Sequence, residues 1–241
     1  MSNWKWAPKD VGSNDAIDSD VAGNGISTTN VTKTDVFTLV AGQNDTTRDA
    51  GITPLVIDLN GDGVQTVARS ASMGSFDLLG NGSKISSGWL SGSDGFLAVD
   101  SDSNGSIDSI NELFGGLNKG DGFAKLSNYD SNSDGVVNAS DAEFASLKIW
   151  QDANGNHATD AGELISLADA GIVSLNVSFI EVPEIDAQGN LHLERSSVVM
   201  ANGSSRDMTD VYFNVSADDV AAAGIELPSL ASLASDPVWL S

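Results

Sequence analysis

Residues 130 to 141 read DSNSDGVVNASD, with oxygen-bearing side chains at positions one, three, five, nine and twelve and glycine at position six. A calcium ion takes six to eight oxygens, and an EF-type loop supplies them from positions 1, 3, 5, 7 by its carbonyl, 9 and 12. The ligand set here is therefore Asp130, Asn132, Asp134, the Val136 carbonyl, Asn138 and Asp141, with Gly135 at the sharp turn. Val137, at position eight, is where paired loops usually touch. Three further stretches repeat the spacing in whole or part. The loop at 152 offers Asp152, Asn154, Asn156, the Ala158 carbonyl, Asp160 and Glu163, with His157 in place of the glycine. The loop at 100 offers Asp100, Asp102, Asn104, the Ser106 carbonyl and Asp108, and Glu112 falls at position thirteen, so a one-residue adjustment is expected. The half-loop DLNGDG supplies Asp58, Asn60 and Asp62 but reaches Arg69 at position twelve, and must borrow acid from elsewhere, with Asp77 and Asp94 as candidates.

A single motif of this kind is also what a solvated Asx turn looks like. Four of them between Asp58 and Glu163, carrying twelve carboxylates, favour a cation, because like charges a few Å apart repel strongly at low effective dielectric. The expected cofactor is Ca2+, in about three to five ions. Other chemistry is thin. His157 lies in a metal loop and His192 in a strand pattern, and neither has visible partners for a nucleophile triad. GNGSK at 80–84 lacks the spacing of a phosphate loop. Trp150, two residues before Asp152, should report on metal occupancy.

Composition agrees. The 241 residues carry 34 acidic against 11 basic side chains, a formal charge of −23, which repels nucleic acid and anionic membrane surfaces and suits a cationic partner. Cysteine is absent, which excludes disulfides, thiolate zinc sites and cysteine nucleophiles. No apolar run is long enough to span a membrane, and the first residues lack a signal-peptide centre, so export would use a signal outside this segment.

The elements that must position these loops read as α+β: EF-hand-like calcium loops on short helices packed with short antiparallel strands, plus an N-terminal β fragment. PLVID and GFLAVD read as short buried strands running into acidic loops. Helical patterns follow in GFAKLSNY from Gly122, SDAEFASLKIW from Ser140 and AGELISLADAG from Ala161, with a capping-box signature at Ser140 and Glu143 and a glycine stop at Gly171. Residues 172–182, 191–200 and 208–215 alternate as an antiparallel meander. SADDVAAAG is a short helix, followed by a loose tail. The organisation expected is a stalk repeat fragment or linker over 1–52, a calcium module over 53–216 and a tail over 217–241.

The runs PLVIDLNGDGVQTV, GWLSGSDGFLAVDSDSNGSIDSINELFG and LKIWQDANG with GELISLADAGI resemble, in order from about 54 to 177, the calcium-binding self-processing module of RTX-type Frp proteins and related bacterial adhesins. Residues 7 to 52 are similar to the closing half of a B-type stalk repeat from serine-aspartate-repeat surface proteins. The resemblance implies an extracellular or surface-bound bacterial module with neighbouring domains of a larger protein. A lectin-like adhesin, whose bound ion contacts a cell-surface or glycan ligand, is a separate reading that the sequence leaves open. It also implies calcium-triggered cleavage of an Asp-Pro bond just before the PL, through an anhydride closed by the Asp carboxylate. Thr53 precedes Pro54 here, and a hydroxyl cannot form that anhydride, so no catalytic residue is assigned there. The alternative, self-cleavage at the chain's one Asp-Pro, would use Asp236 and Pro237.

Overall fold

A computed structural model describes residues 50–224, 227 and 229–235. Nearly all of the stalk-like stretch expected to form an N-terminal β fragment, and the Asp236-Pro237 bond, lie outside the described residues. The elements run β1 (Ala50–Ile57), β2 (Thr66–Val67), β3 (Trp89–Leu90), β4 (Gly95–Ala98), β5 (Gly115–Gly116), α1 (Asp121–Ser127), β6 (Val136–Asn138), β7 (Lys148–Trp150), β8 (Leu164–Ser166), β9 (Ile172–Asn176), β10 (Ile180–Ile185), β11 (Leu191–Met200), β12 (Ser205–Val215), α2 (Ala217–Ala222) and α3 (Leu230–Ser235). Single 3-10 turns form at Ile110–Glu112 and Phe144–Ser146.

One antiparallel sheet dominates, curled as a half-barrel in the order β6-β9-β11-β12-β1-β4-β7-β8, with β10 added on β11 and β5 on β1. β1 lies at its centre, pairing with β12 from Met208 to Val215 on one edge (Leu55 opposite Asp210) and with β4 and β5 in succession on the other. Both faces of β1 are covered, which is why PLVI is an unbroken apolar run. Ile52 and Val56 enter a cluster with Phe76, Trp89, Phe96, Trp150 and Phe213, whereas Leu55 and Ile57 pack with Phe114, Phe123, Leu126 and Met208. A smaller cluster of Leu191, Leu193 and Tyr212 is closed by Leu230 and Leu233 of α3, so the stretch expected to be a loose tail packs on the sheet.

The α+β expectation, with loops slung between helices, is corrected by this architecture: the protein is mostly β, and its three described helices span only six or seven residues each. GFAKLSNY does form α1, SADDVAAAG forms α2, and the meander is present as β9 to β12. The other two helical patterns become strands. After Ser140 only one 3-10 turn survives, because the Asp141 carboxylate gathers the amides of Ser131 and Asn138. Lys148–Trp150 then slots between β4 and β8, where backbone pairing on both edges outweighs a modest helix propensity. Leu164–Ser166 is the second arm of that hairpin, so the loop at 152 joins two strands rather than two helices.

β5 approaches β1 so closely that a Cβ on Gly115 would sit 1.6 Å from the Thr53 carbonyl oxygen. Gly115→Ala should therefore force the strands apart and cost about 1–3 kcal/mol, the usual range for overpacking. Urea unfolding checks it, and an unchanged midpoint would mean that β5 does not hold β1.

Candidate metal centres

The four acidic loops share one backbone format. In each, the first carboxylate accepts amides from the turn ahead of it. Asp58 takes Gly61 and Gly63 at 2.6 and 3.1 Å, and Asp100 takes Asn104 and Gly105 at 3.1 and 3.0 Å. Asp130 takes Asp134 and Gly135 at 3.1 and 2.9 Å, and Asp152 takes Asn156 and His157 at 3.1 and 2.9 Å. Left-handed backbone recurs at positions four and six of every loop: Gly61 and Gly63, Ser103 and Gly105, Ser133 and Gly135, Gly155 and His157. That double requirement explains the glycine spacing.

A second, buried carboxylate closes each loop by accepting amides from its two ends. Glu112 takes Ser101 and Asp108, both at 3.1 Å, so the thirteenth residue does the work of the twelfth. Asp141 takes Ser131 and Asn138, both at 2.8 Å, and Glu163 takes Ala153 and Asp160 at 3.0 and 2.9 Å. The half-loop borrows Asp94, which is fully buried and accepts from Leu59 and Gln65 at 3.3 and 2.8 Å. Carboxylate oxygens of Asp58, Asp62 and Asp94 lie within 4.8 Å of one another, as do those of Asp100, Asp102 and Glu112. Asp77 is not brought to the Asp58 loop. Its oxygens accept the amides of Asn81 and Gly82 at 3.1 and 2.7 Å, making a fifth Asx turn that D-L-L-G-N-G hides by lacking an acid at its third position.

The intermediate positions are exposed and tie to one another. Asn60 and Asp62 are bonded at 3.1 Å, Asn132 and Asp134 at 3.0 Å, and Asn104 donates to both Asp102 and Asp108. Asn154 and Asn156 both donate to Asp160. The residues at position seven, Ser106, Val136 and Ala158, give their amides to the position-five side chain, and the Asn138 side chain accepts from Ser140. Loop pairing occurs between the loops at 100 and 152, where the Ile107 amide donates to the Thr159 hydroxyl at 2.8 Å. Val137 instead pairs with Leu175 of β9.

Charge and burial oppose each other in these loops. Burial pushes the Asp94 carboxyl up to about 6, against the amides of Gln65 and Leu59 that favour its charge, and the nearby Asp58 and Asp62 push it further. Asp141 is held below the usual carboxylate range, first by the Asn138 amide and then by the Ser131 hydroxyl and the Asn132 and Ser131 amides, against the opposing effect of burial.

His157 fills the glycine position at φ 63 and stacks on Trp89 with ring centroids 3.8 Å apart. Left-handed backbone costs a non-glycine residue roughly 1–2 kcal/mol. The stack, worth about 0.5–1.5 kcal/mol beyond burial, and the burial of the ring offset that cost. Burial also lowers the imidazole to about 4, so it is neutral at pH 7. The tryptophan that touches a candidate ligand is Trp89, whose indole donates to Asp152 at 2.8 Å, whereas the Trp150 indole nitrogen is buried without a partner. His192 is buried rather than on the surface, 3.0 Å from Asp186 in the β10–β11 turn, with no hydroxyl on its other nitrogen in any described contact.

These features define a β-sheet module whose strand connections are acidic loops, each closed by a buried carboxylate. Residues 55–214 match the SPM domain, and the chain belongs to that family. It is similar to the iron-regulated protein FrpA of Neisseria meningitidis serogroup C, with 37% identity over 166 residues, which is 66% of this chain and 15% of that much longer protein. No helix among the described residues is long and apolar enough to cross a membrane.

Asp94→Ala should strand the Leu59 and Gln65 amides and cost about 1–3 kcal/mol, the penalty for an unsatisfied buried group. Amide exchange should rise across 59–65 in Asp94→Ala and stay unchanged there in Asp77→Ala.

Proposed function

We propose that this chain is a calcium-binding module of an exported, RTX-type bacterial surface protein, and that calcium completes its fold. The observation that carries the reading is the common format of the loops, above all Asp94, a buried carboxylate delivered from a distant turn to close a loop that lacks its own acid. Four closing carboxylates are buried without a basic partner in their hydrogen-bond sets, which is costly unless a cation joins them. The likeness to an Frp protein and the formal charge of −23 support the same reading.

Extracellular modules bind calcium at about 10⁻⁴ to 10⁻³ M, so the ion is scarce in the cytosol and abundant outside. Binding to the folded state alone adds about 2.7 kcal/mol per site at a hundredfold excess over the dissociation constant, which links export to folding. Cleavage at Thr53-Pro54 is not part of this function, because Thr53 has no carboxylate to close an anhydride.

Titration with CaCl2 should raise the melting temperature and change tryptophan fluorescence through the Trp89–Asp152 bond, with MgCl2 far weaker; no response to calcium would overturn the reading. Protons compete for the same oxygens, so affinity at the Asp94 loop should weaken about tenfold per pH unit below about 6. Without metal the sign reverses: the stability Asp94 gives in its acid form is lost as pH rises from 3.8 to about 6. Intact mass after incubation in millimolar calcium should be unchanged, and loss of five C-terminal residues would instead point to Asp236.

A further inference from the structure

Between the two apolar clusters on one face of the central sheet lies a buried polar seam that the loops do not use. Asp210 of β12 is fully buried, and neither of its oxygens has a hydrogen-bond partner. On the same face, Thr53 of β1 is fully buried with an unpartnered hydroxyl. Glu194 lies at the bulge where the β11–β12 register shifts, is also fully buried, and is held by the Tyr212 hydroxyl, 3.1 Å from both of its oxygens.

The segment leading into α1 is seated on this seam. The Gly120 amide donates to the Tyr212 hydroxyl at 3.3 Å, and a Cβ on Gly122 would lie 2.7 Å from an Asp210 oxygen. There is no room for water to reach Asp210 while Gly122 stays in place. The charged and titratable groups facing Asp210, among the described residues, are Tyr212 on its own strand, Glu194 on β11 and Asp121 on α1. Lys119, paired with Glu181 of β10 at 2.9 Å, acts on Glu194 rather than on Asp210. Among the described residues, no cation stands against Asp210. Burial first, and then the charges of Glu194 and Asp121, favour its neutral form, and the Gly122 amide opposes them without reaching normal hydrogen-bond geometry.

We propose that Asp210 is a proton-dependent latch: its neutral carboxyl lets residues 116–127 seat on the sheet, and its ionisation as pH rises unseats them. The consequence reaches the acidic loops on both sides of α1. The helix runs within three residues into Asp130, and Lys125 donates to the carbonyls of Asn111 and Leu113, which flank Glu112. An acid whose protonated form the fold favours stabilises it most at low pH. That contribution is lost as pH climbs from the ordinary aspartate range through the raised folded value.

The test is amide exchange of residues 121–127 in the full chain, between about pH 5 and pH 9 in millimolar CaCl2, against Asp210→Asn. Protection in the wild type relative to the variant should fall with pH, by up to about tenfold per unit where one proton is released. A ratio constant over the whole range overturns the latch. Carboxyl carbon NMR of the unmodified chain provides a second reading that needs no variant. An Asp210 midpoint well above about 3.9 supports the proposal, and one at about 3.9 defeats it. Neither measurement depends on calcium being the native ion, since failure of the calcium titration would leave both readouts intact.

Discussion

The rest of this structure depends on a carboxylate that reaches across a loop and takes the amides at both ends. Each such bond set ties together amides six or seven residues apart and so shuts the excursion between them at its base. Glu163 does so between β7 and β8, Asp141 at the threshold of β6, and Glu112 just before β5. Asp94 does the same for the chain leaving β1, from the turn that leads into β4. The sheet's connections are thereby held by side-chain charge rather than by apolar contact.

That arrangement carries an electrostatic burden. Two carboxylates at the separations seen around Asp58 and Asp100 repel by about 3–4 kcal/mol at an effective dielectric of about 20. Amide hydrogen bonds stabilise each anion singly but leave the mutual repulsion, and the exposed second acids Asp62 and Asp102 accept side-chain hydrogen bonds from Asn60 and Asn104, which carry no charge. In the proposed function, a divalent ion in each loop turns that repulsion into attraction. The apolar clusters on both faces of β1 give the sheet an independent reason to exist.

Much of the loop chemistry was legible in the sequence because it is local: the D-x-[DN]-x-[DN]-G spacing encodes a turn that its own side chains build. The one-residue slip at Glu112 and the borrowing of Asp94 were legible too, as deficits that something had to fill. Asp77 and Asp94 were equal candidates for that role because sequence separation does not tell which acid the fold brings back, and Asp77 closes its own turn instead. What flanks the loop at 152 was not legible. LKIW and ELIS carry helix-compatible composition, and only their neighbours across the sheet make them strands: β4 and β8 on the two sides of LKIW, and β7 beside ELIS. The strand pattern around His192 gives no sign of its burial, because period-two alternation does not show that β10 pairs along that edge of β11. The Asp210 seam left no sequence signal at all, since a lone Asp in TDVYF looks like the solvent side of a strand.

The middle of the sheet sets how the module meets force. Ala50 pairs with Val215, so the chain enters β1 and leaves β12 at the same end of two antiparallel neighbours. A pull applied to those two points loads their hydrogen bonds one after another, as a zipper opens, instead of all at once as in a sheared pair. What stands at the first tooth is Leu230 of α3, packed over Gly51 and Tyr212. That small helix is the rivet of the β1–β12 pair, and its loss would uncover the end of the pair that such a pull opens first.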